Sequence, residues 1–133
     1  MIPDSTSSEA ITRDVRVRVT SRYLPQRSDP ARSAYFFTYT VRITNLGAEA
    51  VQLRRRHWII RDASGATEEV EGPGVVGAEP LLQPGASFEY TSFCPLRTPT
   101  GTMHGTFAMV TSADDRFDAE IAPFLLSEAL EFH

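Results

Sequence analysis

Apolar and polar residues alternate with a period of two along most of this chain. Val15, Val17 and Val19 alternate with Arg16, Arg18 and Thr20, the pattern of a strand that buries one face only. A longer run follows, with Tyr35, Phe37, Tyr39, Val41 and Ile43 on one face and Phe36, Thr38, Thr40, Arg42 and Thr44 on the other. This predicts a long central strand whose Phe36 side either packs on a second sheet or forms an exposed interaction face. It ends at Asn45-Leu46-Gly47, where Asn and Gly tolerate the positive φ of a tight turn. In the third strand Val51 and Leu53 share one parity, whereas Trp58 and Ile60 have the other. One extra residue within Arg54-Arg55-Arg56 would reverse the phase, so a β-bulge is expected there.

Asp62-Ala63-Ser64-Gly65 reads as a hairpin turn into a strand at 67–70. Residues 71–85 contain four glycines and three prolines, too many breakers for a helix or central strand, and read as a long structured loop. Three more strands are marked by Phe88 and Tyr90, by Met103, Gly105, Phe107 and Met109, and by Phe117, Ala119 and Ile121. Residues 112–115 turn the last hairpin, and 125–132 suit a short turn. About seven strands result, which predicts an all-β, two-sheet antiparallel β-sandwich of immunoglobulin-like type with the lone Trp on its third strand.

At 133 residues with 41% hydrophobic content, the chain suits one domain with one core. Residues 1–12 read as a flexible leader ahead of a single domain at 13–133. The leader has acidic Asp4 and Glu9 and no apolar stretch, so a secretory signal is not expected. Cys94 is the only cysteine, which excludes an internal disulfide and points to the cytoplasm. Every apolar run is far shorter than the roughly 18 residues that cross a bilayer, so no membrane partner is expected. A net charge of −4 disfavours nucleic acid, whose non-specific affinity comes from neutralised phosphates. All thirteen basic residues are Arg, and Arg grips carboxylates or phosphates through paired bonds.

An ordered set of segments carries a family likeness: Tyr23-Leu24-Pro25, Val51-Gln52-Leu53, Arg56-His57-Trp58-Ile59-Ile60, Gly72-Pro73-Gly74-Val75-Val76-Gly77 and Pro80-Leu81-Leu82-Gln83-Pro84-Gly85. Phe88-Glu89-Tyr90-Thr91-Ser92, Cys94-Pro95-Leu96, Thr98-Pro99-Thr100-Gly101-Thr102-Met103 and Phe117-Asp118 continue it. On these segments the chain resembles the ApaG family from Val15 to Phe124. The resemblance implies a fibronectin type III-like sandwich, no established enzymatic activity, and a bacterial association with cobalt tolerance and magnesium efflux. It also implies protein recognition, since similar eukaryotic domains are appended to an F-box ubiquitin-ligase receptor and to a polymerase-associated protein. Arg54-Arg55 and Phe93 depart from the family pattern, making the surface near the third strand more basic.

Gly72-x-Gly74-x-x-Gly77 matches the glycine spacing of a dinucleotide fingerprint, but Pro80 and Pro84 leave no helix to follow it. A glycine loop can still cradle an anion through backbone N–H groups. Gly72, Gly74 and Gly77, with Arg56 and His57 alongside, therefore form a candidate ligand site for a phosphate-bearing metabolite or divalent ion. Arg54, Arg55 and Trp58 form a candidate partner-binding edge, which competes with a charged strand edge that merely blocks aggregation. His57, His104, Cys94 and His133 match no zinc spacing, so no metal site is assigned to them, and turn carboxylates such as Glu68, Glu69, Glu71, Glu79, Asp114, Asp115 and Asp118 read as solvated. Cys94 lacks a sequence-adjacent His or helix start, and no Gly-x-Ser-x-Gly elbow exists. The sequence thus predicts no catalytic residues and no cofactor. It predicts a non-catalytic module that binds a protein partner, with homodimer formation open and a small-ligand sensor as the alternative.

Overall fold

A computed structural model describes residues 5–128. Nine strands run through it: β1 (Ser7–Thr12), β2 (Val15–Tyr23), β3 (Tyr35–Asn45), β4 (Val51–Asp62), β5 (Thr67–Pro73), β6 (Leu81–Leu82), β7 (Ser87–Leu96), β8 (Thr100–Thr111) and β9 (Arg116–Ser127). They form two antiparallel sheets, ordered β1-β2-β3-β7 and β5-β4-β8-β9, with β6 also paired to β4. Two 3₁₀ turns, Pro25–Arg27 and Pro30–Arg32, join β2 to β3. The β-sandwich expected from the alternation is therefore present, with two strands more than the seven anticipated.

The extra strands escaped the pattern for a physical reason. In β1 the half-buried positions are Ser8, Ala10 and Thr12, while Ile11 faces outward and is 56% exposed, so hydrophobicity does not alternate. Backbone pairing to β2, from Ser7 with Thr20 to Thr12 with Val15, makes it a strand. Residues 7–12 thus belong to the sandwich, where a flexible leader was expected. β6 is two residues long within the proline-rich segment, below the length at which a period can be read. At the other end, β9 continues to Ser127, replacing part of the turn expected at 125–132; residues 129–132 and His133 lie outside the described residues.

The core lies between the sheets. Val15, Val17, Val19, Phe37, Val41 and Ile43 enter it from one sheet, and Leu53, Trp58, Met103, Phe107 and Ile121 from the other. Trp58 is at its centre, 2% exposed, with Tyr39, Phe107 and Phe124 around it at ring-centroid distances of 5.1, 6.1 and 6.1 Å. These are edge-on arrangements in which a ring's positive rim meets another's negative face. One side of the sandwich is stitched shut. The Ser8 hydroxyl donates to the Ala122 carbonyl, the Ser21 hydroxyl to the Leu125 carbonyl, and the Leu125 N–H to the Ser5 carbonyl.

The bulge expected at the arginine run is present. The β4–β8 register shifts between Leu53 and Arg55, leaving Arg54 as the additional residue. Val51, Leu53, Trp58 and Ile60 all reach the core as a result, and Arg54 and Arg55 both project outward as consecutive exposed residues.

Candidate binding surface

The glycine-rich segment is built onto the edge of β4. β5 pairs with β4 from Arg61 down to Arg55, and β6 pairs with it at Val51 and Gln52. The gap between them is filled by residues 74–80. The Gly74 N–H donates to the Arg54 carbonyl at 2.9 Å, and the Leu53 N–H donates to the Pro80 carbonyl at 3.0 Å. The loop then closes on itself, Val75 and Ala78 exchanging two backbone bonds of 2.8 and 2.9 Å. At its tip Val76 and Gly77 both have positive φ, +43° and +81°, the sense of a primed two-residue hairpin turn.

This geometry weighs against the loop as an anion cradle. The amides of Gly74, Val75 and Ala78 are already engaged in backbone bonds. Arg56 lies across Gly72 and donates to the carbonyls of Pro73 and Gly74 at 2.9 and 3.0 Å. A Cβ on Gly72 would come within 3.0 Å of that guanidinium. Arg56 thus clasps the loop to the sheet from the core-side parity of β4. Its neighbour His57 faces the opposite way, so the sheet separates two residues grouped together from sequence.

Trp58 corrects the sequence reading in a second respect. Its burial at the centre of the aromatic cluster removes it from any partner-binding edge. Arg54 and Arg55 remain on the surface and line an open groove of about 830 Å³. The groove crosses the outer face of β4, β8 and β9 beside the loop; Gln52, Leu81, Val110, Arg116 and Asp118 also line it. Arg54 pairs with Glu79 at 2.9 Å. Among the described residues Arg55 forms no ion pair. Leu81 is 58% exposed because the two-residue β6 sends Leu82 inward and must send Leu81 out.

Next along the same outer face, His57 Nε2 lies 2.7 Å from Glu69 Oε1 and 3.4 Å from Glu71 Oε1. The register explains the meeting: His57 pairs directly with Glu71, and Glu69 is two residues along the same face of β5. On the other sheet, the Phe36 side of β3 faces outward. Phe36 and Phe93 pack at 5.5 Å, and the Arg27 guanidinium covers both rings at 5.4 and 5.9 Å. These groupings could have been suspected only from strand pairing, which the sequence does not display.

Cys94 is buried, and loss of hydration pushes its thiol up to about 12, the opposite of what a nucleophile requires. Burial also raises the Tyr39 hydroxyl. No helix among the described residues is long and apolar enough to cross a membrane.

The sequence profile of the ApaG domain matches residues 25–111. Protein ApaG of Methylobacterium sp. (strain 4-46) is 54% identical over 118 residues, covering 89% of this chain and 91% of its own length. Protein ApaG of Xanthobacter autotrophicus is 52% identical over 117 residues, 88% of this chain and 90% of its own. Among solved structures, an ApaA protein from Bordetella pertussis superimposes with a TM-score of 0.84 at 49% identity, covering 94% of this chain and 97% of its own. A second X-ray structure, a structural-genomics target, gives 0.84 at 42% identity, covering 93% and 94%.

Proposed function

The chain belongs to the ApaG family, and we propose that it is a non-catalytic cytoplasmic module that recognises a protein partner through the groove beside its glycine-rich loop. One observation carries this reading: the bulge turns Arg54 and Arg55 outward together, into an open groove of about 830 Å³ that also exposes Leu81. A guanidinium without an ion-pair partner among the described residues, lining the same groove as an exposed aliphatic side chain, fits a polypeptide segment with acidic and apolar side chains, since Arg binds carboxylates bidentately and buried apolar contacts supply affinity. The single buried cysteine, which requires no oxidising compartment, supports the cytoplasmic assignment.

The test compares capture from cell extract by wild type and by an Arg55→Glu/Leu81→Asp variant of equal melting temperature. A partner retained by wild type and bound at least about tenfold more weakly by the variant, measured with purified proteins, supports the groove; at about 1.4 kcal/mol per decade that loss is well within the reach of two contacts. A partner that binds both equally overturns it. The engaged loop amides leave the small-ligand alternative less supported. A saturable melting shift with pyrophosphate, reaching roughly 3 kcal/mol of stabilisation at a hundredfold excess over Kd, would restore that alternative.

A further inference from the structure

We propose that His57, Glu69 and Glu71 form a binding site for one divalent transition-metal ion on the outer face of β4 and β5. An imidazole nitrogen and two carboxylate oxygens all lie within 4.8 Å of one another, and they come from two adjacent strands in fixed register. Bonds of about 2.0 to 2.2 Å from such ligands to a divalent ion place neighbouring donor atoms about 3 to 3.5 Å apart. His57 and Glu71 are at 3.4 Å, and His57 and Glu69 at 2.7 Å, so the imidazole is within a few tenths of an ångström of its place with respect to both. The remaining adjustment falls on the two carboxylates, whose side chains are 61% and 60% exposed and turn freely about their terminal torsions.

The surroundings favour a cation over a simple ion pair. Both carboxylates project from the same face of an edge strand, and like charges placed so close repel. Their ion-pair partner among the described residues is His57 alone, although Arg55 and Arg61 stand two positions to either side of the His57–Ile59 segment of β4. The imidazole decides the class of metal. Magnesium and calcium prefer oxygen donors alone, whereas one nitrogen with two carboxylates suits zinc, manganese or ferrous iron. Three protein ligands leave coordination positions open to water or to a donor from another molecule. The site uses none of the groove residues, so it stands or falls apart from the partner reading.

The experiment uses the untagged full chain, freed of metal by chelation. Titration calorimetry with Zn²⁺ should give one saturable equivalent, with Mg²⁺ giving none at the same concentrations. Glu69→Gln/Glu71→Gln should weaken Zn²⁺ binding by at least tenfold. Added Mn²⁺ should broaden amide resonances of β4 and β5 around His57 and Glu71 in wild-type protein, a localisation independent of whether the variant folds. Absence of saturable Zn²⁺ binding overturns the proposal, as does an unchanged affinity in the double variant or broadening centred on another part of the chain.

Discussion

Gly74→Ala should destabilise the protein far more than Gly77→Ala, although both glycines share the sequence motif and both have positive φ, +62° and +81°. A residue with a Cβ pays about 1 kcal/mol or somewhat more to hold that backbone conformation. For Gly77 that is the whole cost, because a Cβ there meets no atom of the described residues within 4 Å. At Gly74 the Cβ would overlap the Ala78 carbonyl oxygen, with the carbonyl carbon at 3.1 Å. That oxygen accepts the Val75 N–H and cannot withdraw without weakening the bond, and Val75 itself is fully buried. Adding about 1 kcal/mol for each of the two backbone bonds at risk, Gly74 to Arg54 and Val75 to Ala78, gives a total near 3 kcal/mol. At about 2.1 cal/mol/K per residue, 133 residues lose Tm at about 4 °C per kcal/mol. Calorimetric melts should therefore fall by about 10 °C for Gly74→Ala and about 4 °C for Gly77→Ala. Equal shifts for the two would refute the claim that Gly74 is required by contact with the loop's own backbone.

Val76→Asn should raise Tm by about 2 to 4 °C, because a β-branched residue at φ +43° is strained and Asn tolerates that region; a lower Tm would show that the exposed Val76 side chain makes a contact worth more than its strain. Cys94, with its thiol pushed up to about 12, should resist a disulfide reagent at pH 8 in native protein and react promptly in denaturant, and stoichiometric native labelling within minutes would contradict its burial. Asp62 accepts the N–H and hydroxyl of Ser64 and the N–H of Ala66, chiefly the hydroxyl, which holds its carboxyl below the ordinary range. A carboxylate so lowered stabilises the fold above its unfolded-state pKa and loses that contribution as pH falls through the folded value. The Tm difference between wild type and Asp62→Asn should thus be constant from neutrality to about pH 5 and shrink below about pH 4; a difference that persists unchanged at lower pH would refute the assignment.

The sandwich was legible where one face of a strand is buried, because burial writes a period of two into the sequence. β8 alternates half-buried and buried along its whole length, and β2 keeps every second residue buried. β1 was illegible because its inward positions are Ser, Ala and Thr and it is held by backbone pairing, which leaves no side-chain signature. The surface fared differently. Arg54 and Arg55 could be placed outward once the bulge was inferred, but His57 meeting Glu69 and Glu71 depends on the β4–β5 register. Arg56 and His57 part because neighbours in a regular strand point to opposite faces, and Trp58 parts from Arg54 and Arg55 because the bulge turns both arginines outward and leaves Trp58 in the inward phase.

That alternation gives the single extra residue in β4 its reach. Without a bulge, a strand carrying Leu53 inward would carry Arg55 and His57 inward as well and turn Trp58 and Ile60 to solvent, since a shift of one residue exchanges the faces. The core would lose its largest side chain, and two polar groups would lie buried without partners, a cost of several kcal/mol. With Arg54 inserted, Trp58 enters the aromatic cluster, while the Arg54 carbonyl receives the Gly74 N–H. The glycine loop fills the stretch left between β5 and β6 on the edge of β4 away from β8, and Arg56, past the phase change, is turned toward that loop and donates to the carbonyls of Pro73 and Gly74. The motif Gly72-x-Gly74-x-x-Gly77 and the run Arg54-Arg55-Arg56 are therefore two halves of one structural device. Its outward product is the adjacent placement of Arg54, Arg55 and His57 on the face where the groove and the carboxylate pair lie.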